Sequence, residues 1–186
     1  MFEVELKYRI SQDIYDKIMR DLSSKWKFLY EVEERDIYLA HPCRDFAETD
    51  EALRIRVERK VGEVPKIILT YKGPRVGSEG KTREEISTEV SDLDSCLRIF
   101  EKLGFKKVIE ILKRRRVYSR ENYTLVLDDV EGLGKFIEIE CVTNSRDLVD
   151  ECVRSIKKIA EELGLDESLI EKKTYLELML EKKPLY

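Results

Sequence analysis

The chain is 186 residues long, enough for one domain with a real core, and no Pro/Gly/Ser-rich linker or shift in composition divides it, so 1–186 reads as a single domain. Charged residues make up 40 % of the sequence but nearly cancel, 35 basic against 39 acidic for a net charge of −4, which argues against a nucleic-acid surface and leaves any basic feature local. No apolar run is long enough to span a bilayer and the first residues already alternate as a strand, so neither a membrane helix nor a signal peptide is expected, and the expected location is cytoplasmic.

The opening stretch FEVELKYRI (Phe2 to Ile10) reads as a β-strand, with Glu3, Glu5, Lys7 and Arg9 on one face and Phe2, Val4, Leu6, Tyr8 and Ile10 on the other. SQDIYDKIMRDLSSK follows as an amphipathic helix, apolar at Ile14, Ile18, Met19 and Leu22, with Ser11 as its cap. Trp26 and Phe28 are expected in the core rather than as platforms for a base. Further strands are expected at Lys27–Leu39, Ala52–Lys60, Pro65–Lys72, Thr82–Val90, Lys106–Ser119, Tyr123–Asp128 and Lys135–Val142, which makes eight with the first. SDLDSCLRIFEKLGF supplies a helix between the fifth and sixth, Ser145–Leu163 another, and a short helical tail runs through Leu178 to Glu181. Turns as short as RENY and DVEGLGK favour antiparallel neighbours. The expected class is mainly β (α+β), an eight-stranded antiparallel barrel or tunnel with flanking helices.

The charged face of the first strand recurs along the chain. Arg54, Arg56 and Glu58 alternate in LRIRVER, Arg83 and Glu85 in REEIS, Lys113 and Arg115 in LKRRRVY, and Glu138 and Glu140 in FIEIE. One such strand is ordinarily the solvated outer face of an antiparallel sheet. The set reads differently, because outer faces mix Thr, Ser and Gln with their charges, whereas these positions favour Arg, Lys and Glu, with acids concentrated on the first and last strands. If the strands close, the charges line an interior that demands water, a multivalent ligand and metal, since stripping water from an ion costs several kcal/mol.

The chemistry follows from the donor types. Glu3, Glu5, Asp128, Glu138 and Glu140 offer carboxylate oxygens without imidazole or thiolate, the ligand type of hard cations such as Mg²⁺ or Mn²⁺. Lys7, Arg9, Arg54, Arg56, Lys72, Arg83, Lys113 and Arg115 offer the opposite charge, so a substrate that bridges the two sets is a polyphosphate. Such a site catalyses phosphoryl or nucleotidyl transfer by placing charge where it develops. GSEGKT (Gly77 to Thr82) ends like a P-loop but has Arg75 where the first glycine belongs, and GLG (Gly132 to Gly134) lacks the third glycine of a dinucleotide fingerprint; both read as turns. The four cysteines are scattered and His41 stands alone, which excludes a zinc site and suggests reduced thiols and a loop histidine. Scarce Asn and Gln beside abundant Lys, Glu and Arg match proteins of hot-growing organisms.

With these residues in view, the sequence resembles the CYTH superfamily, the triphosphate tunnel metalloenzymes, and within it looks most like the class IV adenylyl cyclases. The resemblance rests on EVELK as a Glu-x-Glu-x-Lys signature, ERDIYL, ALRIR, LTYKGP, TREEIS, LVLDDVEGLGKFIEIE and KTYLELM, in that order over nearly the whole chain. It implies an eight-stranded tunnel, Mg²⁺ or Mn²⁺ as cofactor and a triphosphate-bearing substrate such as ATP or tripolyphosphate. It further implies metal binding by Glu3, Glu5, Asp128 and Glu138, with Glu140 as a second-sphere or second-metal ligand, and phosphate binding by Lys7, Arg54, Arg56, Lys72, Arg83, Lys113 and Arg115. Arg9 joins the phosphate set by strand alternation, while Arg114 and Arg116 are expected to point the other way. Catalysis is expected from Glu3, Glu5, Lys7 and Glu138. The activity implied is conversion of ATP to cyclic AMP and pyrophosphate. Hydrolysis of tripolyphosphate or of an organic triphosphate, and binding of a polyphosphate or nucleotide without turnover, stay open beside it. No residue sets the oligomeric state, a homodimer being one option.

Overall fold

The computed structural model describes residues 2–22, 24–74, 84–143 and 145–182, with the side chains of the opening strand from Val4 onward. Eight strands and four α-helices are present: β1 (Phe2–Ile10), α1 (Gln12–Leu22), β2 (Lys27–Ala40), β3 (Ala52–Arg59), β4 (Lys66–Lys72), β5 (Glu85–Glu89), α2 (Leu93–Lys102), β6 (Lys106–Arg120), β7 (Tyr123–Val130), β8 (Gly134–Thr143), α3 (Val149–Glu162) and α4 (Tyr175–Lys182). The strands form one antiparallel sheet in the order β1-β8-β7-β6-β2-β3-β4-β5. Among the described residues no pairing joins β1 to β5, so the sheet is not closed into the expected barrel.

The chain divides into two compact units. The first comprises Met1–Val32 and Lys113–Tyr186. Here the period-2 pattern of β1 does what it predicts. Tyr8 and Ile10 turn to an apolar face shared with Tyr118, Leu125, Leu127, Ile137 and Ile139, covered by Ile18 and Leu22 of α1 and by Ile156, Ile159 and Ala160 of α3. Ser11 caps α1, its hydroxyl accepting from the Ile14 amide at 3.3 Å. Trp26 is core as expected. Phe28 is not: it lies half exposed, edge-on to Tyr118 at 5.4 Å, on the strand that starts at Lys27, whereas the Lys25 and Trp26 amides are held by the Leu22 carbonyl at the helix end. GLG makes a tight turn, with Gly132 at φ +77°, a conformation that L side chains rarely adopt, and the Leu133 amide donating to Val130.

The second unit, Glu33–Leu112, packs α2 on the apolar face of β2, β3 and β4 through Ile37, Leu39, Leu53, Ile55, Cys96, Leu97 and Phe100. Asp92 caps α2 by accepting from the Ser95 amide at 2.7 Å. His41 is a loop residue as expected, its Nδ1 accepting from the Cys43 amide. The four cysteines are free thiols, and GSEGKT lies outside the described residues. No described helix is long and apolar enough to cross a membrane.

Candidate active site

The polar face of the first unit is assembled by strand register. Opposite one another stand Glu5 and Glu140, Lys7 and Glu138, Arg9 and Phe136 across β1 and β8, and Arg115 and Asp128 across β6 and β7. Directly opposed like charges oppose strand pairing, so the Glu5–Glu140 pair is a feature that folding alone does not favour. Carboxylate oxygens of Glu5, Glu138 and Glu140 all lie within 4.8 Å of one another. An all-carboxylate set at that spacing fits a hard divalent cation and does not fit zinc or copper, which prefer imidazole or thiolate.

Asp128 stands beside this trio, fully buried. Arg115 grips it with Nε on Oδ1 at 2.8 Å and a terminal nitrogen on Oδ2 at 2.6 Å, and the same nitrogen reaches Glu138 Oε2 at 2.7 Å. Burial pushes the Asp128 carboxyl up, but Arg115, Lys113 and the Tyr175 hydroxyl more than offset it and hold the group below the usual carboxylate range. Glu138 goes the other way. Burial raises it most, Arg115 and Lys7 work against the rise, and repulsion from Asp128 and Glu5 adds to it, leaving the carboxyl above the usual range. Two neighbouring carboxylates that share Arg115 thus sit in opposite electrostatic states.

Lys7 and Lys113, only 4 % and 6 % exposed, are buried ammoniums on the same face. Lys7 Nζ lies 4.6 Å and Lys113 Nζ 5.7 Å from the centroid of the Tyr175 ring. Tyr175 opens α4, where Thr174 and Glu177 form a reciprocal capping box: the Glu177 amide donates to the Thr174 hydroxyl and the Thr174 amide to the Glu177 carboxylate. The segment before it is tied to β1 by the Glu171 amide on the Lys7 carbonyl and by a bridge between Tyr8 and Ile170. Sequence reasoning kept KTYLELM as a motif but left Tyr175 out of the site; the T-x-x-E capping signal at Thr174–Glu177 was the available clue.

The remaining expected residues distribute as follows. Arg9 is exposed, donates to the Leu133 carbonyl at 3.2 Å and lies over Phe136, toward the turn rather than the carboxylate trio. Arg116 lies on the opposite face, ion-paired with Glu31 and bonded to the Tyr15 hydroxyl, and Arg114 is exposed, as alternation predicts. The Glu3 side chain and Arg83 lie outside the described residues.

Arg54, Arg56 and Lys72 belong to the second unit. Arg56 makes a bidentate pair with buried Asp36, at 2.6 and 2.8 Å, and reaches Glu34 at 3.0 Å. Arg54 lies 3.8 Å from Asp36, and its buried Nε has no hydrogen-bond partner among the described residues, a donor that an anion could satisfy. Lys72 pairs with Glu85 at 2.6 Å. Glu34 and Asp36 were read only as part of ERDIYL; their alternation on β2 was the signal that they share the arginines' face.

The antiparallel sheet thus sets a carboxylate trio beside buried ammoniums on one face. The CYTH domain model matches residues 1–175, and the chain belongs to the CYTH family. It is similar to a protein of Methanocaldococcus jannaschii named "Putative adenylate cyclase MJ0240", 40 % identical over 179 residues that cover 96 % of this chain and 98 % of that one. The adenylate cyclase CyaB of Aeromonas hydrophila is 29 % identical over 175 residues, 94 % of this chain and 86 % of that one. Among solved structures, the PH1819 protein of Pyrococcus horikoshii OT3 superposes with a TM-score of 0.84 at 43 % identity, covering 98 % of this chain and all of that one.

Proposed function

We propose that the chain is a divalent-metal-dependent enzyme acting on a triphosphate-bearing substrate, and that its reaction is that of a class IV adenylyl cyclase, ATP to cyclic AMP and pyrophosphate. The observation that carries this is the convergence of Glu5, Glu138 and Glu140 within 4.8 Å on the face that also buries Lys7 and Lys113. The CYTH match and the cyclase names of two relatives support it.

In this reading Glu5, Glu138 and Glu140 hold Mg²⁺ or Mn²⁺, with Glu3 and Asp128 as further candidate ligands. When bound, the metal neutralises phosphate charge as the transferring phosphorus is attacked. Lys7 and Lys113 place positive charge on the phosphate oxygens without needing to leave a buried position. Arg115 keeps Asp128 and Glu138 oriented and supplies a fork for phosphate. In the second unit, Arg54, Arg56 and Lys72 are proposed as phosphate-binding side chains too, as are Arg83 and, at the turn, Arg9. In the cyclase reaction the ribose 3′-oxygen bonds to the α-phosphorus, the bond from that phosphorus to the bridging oxygen breaks, and pyrophosphate and a proton leave.

A second reading, hydrolysis of the terminal phosphoryl group of tripolyphosphate or an organic triphosphate, is favoured by the Glu138-x-Glu140 pair, which has oxygen enough for a second metal. Incubation with Mn²⁺ and either ATP or tripolyphosphate, followed by phosphorus NMR, separates the two. Cyclic AMP with pyrophosphate supports the first, orthophosphate the second, and unchanged substrate refutes both in favour of a binding module.

A further inference from the structure

Tyr175 joins the carboxylate side of the site to its ammonium side. Its hydroxyl donates to Asp128 Oδ2 at 2.8 Å, the same oxygen that Arg115 holds at 2.6 Å, so Asp128 receives three donors. Its ring, edge-on to Phe136 at 4.9 Å, carries both the Lys7 and the Lys113 ammonium within 6 Å of its centroid. Lys7 is held again from the same segment, donating through Nζ to the Lys173 carbonyl at 2.5 Å. A side chain whose only task was to anchor α4 would not need its oxygen on the most buried carboxylate of the sheet and its face under two buried cations.

We propose that Tyr175 is a positioning residue for the triphosphate site: its hydroxyl fixes the Asp128–Arg115 fork, and its ring sets the spacing of Lys7 and Lys113. The inference rests on the proposed triphosphate reading. Its two halves act on different quantities. The hydroxyl acts through the orientation of Arg115 and Asp128, where charge must be met as the phosphorus is attacked, so its loss lowers kcat. The ring fixes where two phosphate-binding ammoniums stand before any reaction, so its loss weakens binding of the anion.

The test uses the full chain and two variants. Tyr175→Phe keeps the ring and should lower kcat about tenfold or more, the loss expected for one hydrogen bond to a charged group, with KM within twofold of wild type. Tyr175→Leu should in addition weaken tripolyphosphate binding about tenfold, measured by titration calorimetry in EDTA, where no metal and no turnover are involved. Thr174→Ala, which loosens the cap that places both ring and hydroxyl of Tyr175, should lower kcat and weaken tripolyphosphate binding, each in smaller measure, and serves if Tyr175→Leu fails to fold. Variants that melt earlier yet keep wild-type kcat, KM and tripolyphosphate affinity when folded would overturn the proposal and leave Tyr175 a helix anchor. Wild type that neither binds nor turns over tripolyphosphate would overturn the triphosphate reading itself.

Discussion

Replacing Glu138 by glutamine should abolish turnover and at the same time make the metal-free protein more stable. The carboxylate oxygens of Glu5, Glu138 and Glu140 lie within 4.8 Å of one another, a separation at which two unit charges repel by about 3.5 kcal/mol at an effective dielectric constant of about 20 and about 0.9 kcal/mol in water. Glu138 takes part in two such pairs and also faces Asp128, and burial together with this repulsion holds its carboxyl above the usual range despite Arg115. Against the relief stands the bond from Arg115 to Glu138 Oε2, which a glutamine oxygen keeps in weaker, neutral form at a loss of about 1 kcal/mol. The balance is a gain of about 1–3 kcal/mol, or about 2–10 °C in Tm for a chain of this size. Calorimetry in EDTA at pH 7 measures it. Adding Mn²⁺ should then raise the Tm of wild type by more than that of the variant, since the variant has lost a ligand charge. A variant that melts lower than wild type in EDTA, or gains as much from Mn²⁺, would refute the reasoning that these carboxylates crowd to receive a cation.

Lys113→Ala should reduce kcat/KM by about a hundredfold or more, because its buried ammonium is proposed to meet phosphate; unaltered kinetics would remove it from the site. Arg56→Ala should be destabilising, since it takes the bidentate partner from buried Asp36 and an ion-pair partner from buried Glu34 and leaves Arg54, at 3.8 Å from Asp36, in looser geometry; a Tm lowered by less than about 3 °C would contradict that pairing. Glu110 gives a pH signature: the Arg35 fork, helped by Lys107 and opposed by burial, lowers its carboxyl from 4.5 to about 2. A depressed folded value means stability that is present above pH 4.5 and lost as pH falls toward 2. The shift would be worth about 3 kcal/mol undiluted, and solvent at this partly exposed pair reduces it to about 1 kcal/mol. The Tm difference between wild type and Glu110→Gln should therefore vanish by about pH 2, and a difference that persists would sink the assignment.

Strand alternation carried most of what could be read in advance. Glu5, Lys7, Glu138 and Glu140 fall on one face by period alone, and β1 and β8 then meet in the register that turns two separate charged strands into a trio. The register is the part that alternation does not contain: a shift by two residues would keep every face and dissolve the Glu5–Glu140 opposition. Tyr175 was hidden for a different reason. It reaches the site from a helix N-terminus 47 residues beyond Asp128, held by a capping box and by main-chain bonds to β1, and neither the helical period nor the charge pattern points to it. Arg115 and Arg56 were read as phosphate ligands from charge, alternation and the family resemblance; their present partners are Asp128, Glu138, Asp36 and Glu34, because a buried guanidinium is matched by carboxylates whatever else it binds. Phe28 was grouped with its buried neighbour Trp26, but it lies on the strand that starts at Lys27 and is half exposed.

The central claim is that this face holds a metal ion and a chain of phosphates together, and the measurement that tests it most directly is the melting temperature with tripolyphosphate and Ca²⁺, an ion that suits carboxylates and lets the complex be held without rapid turnover. Linked phosphoryl groups reach several cations and the metal at once, so at about a thousand times its dissociation constant tripolyphosphate should add about 4 kcal/mol to stability. Orthophosphate at equal concentration and fixed ionic strength should add far less, and Glu5→Gln should lose most of the tripolyphosphate effect. Equal shifts for the two anions, or an undiminished shift in Glu5→Gln, would contradict the account.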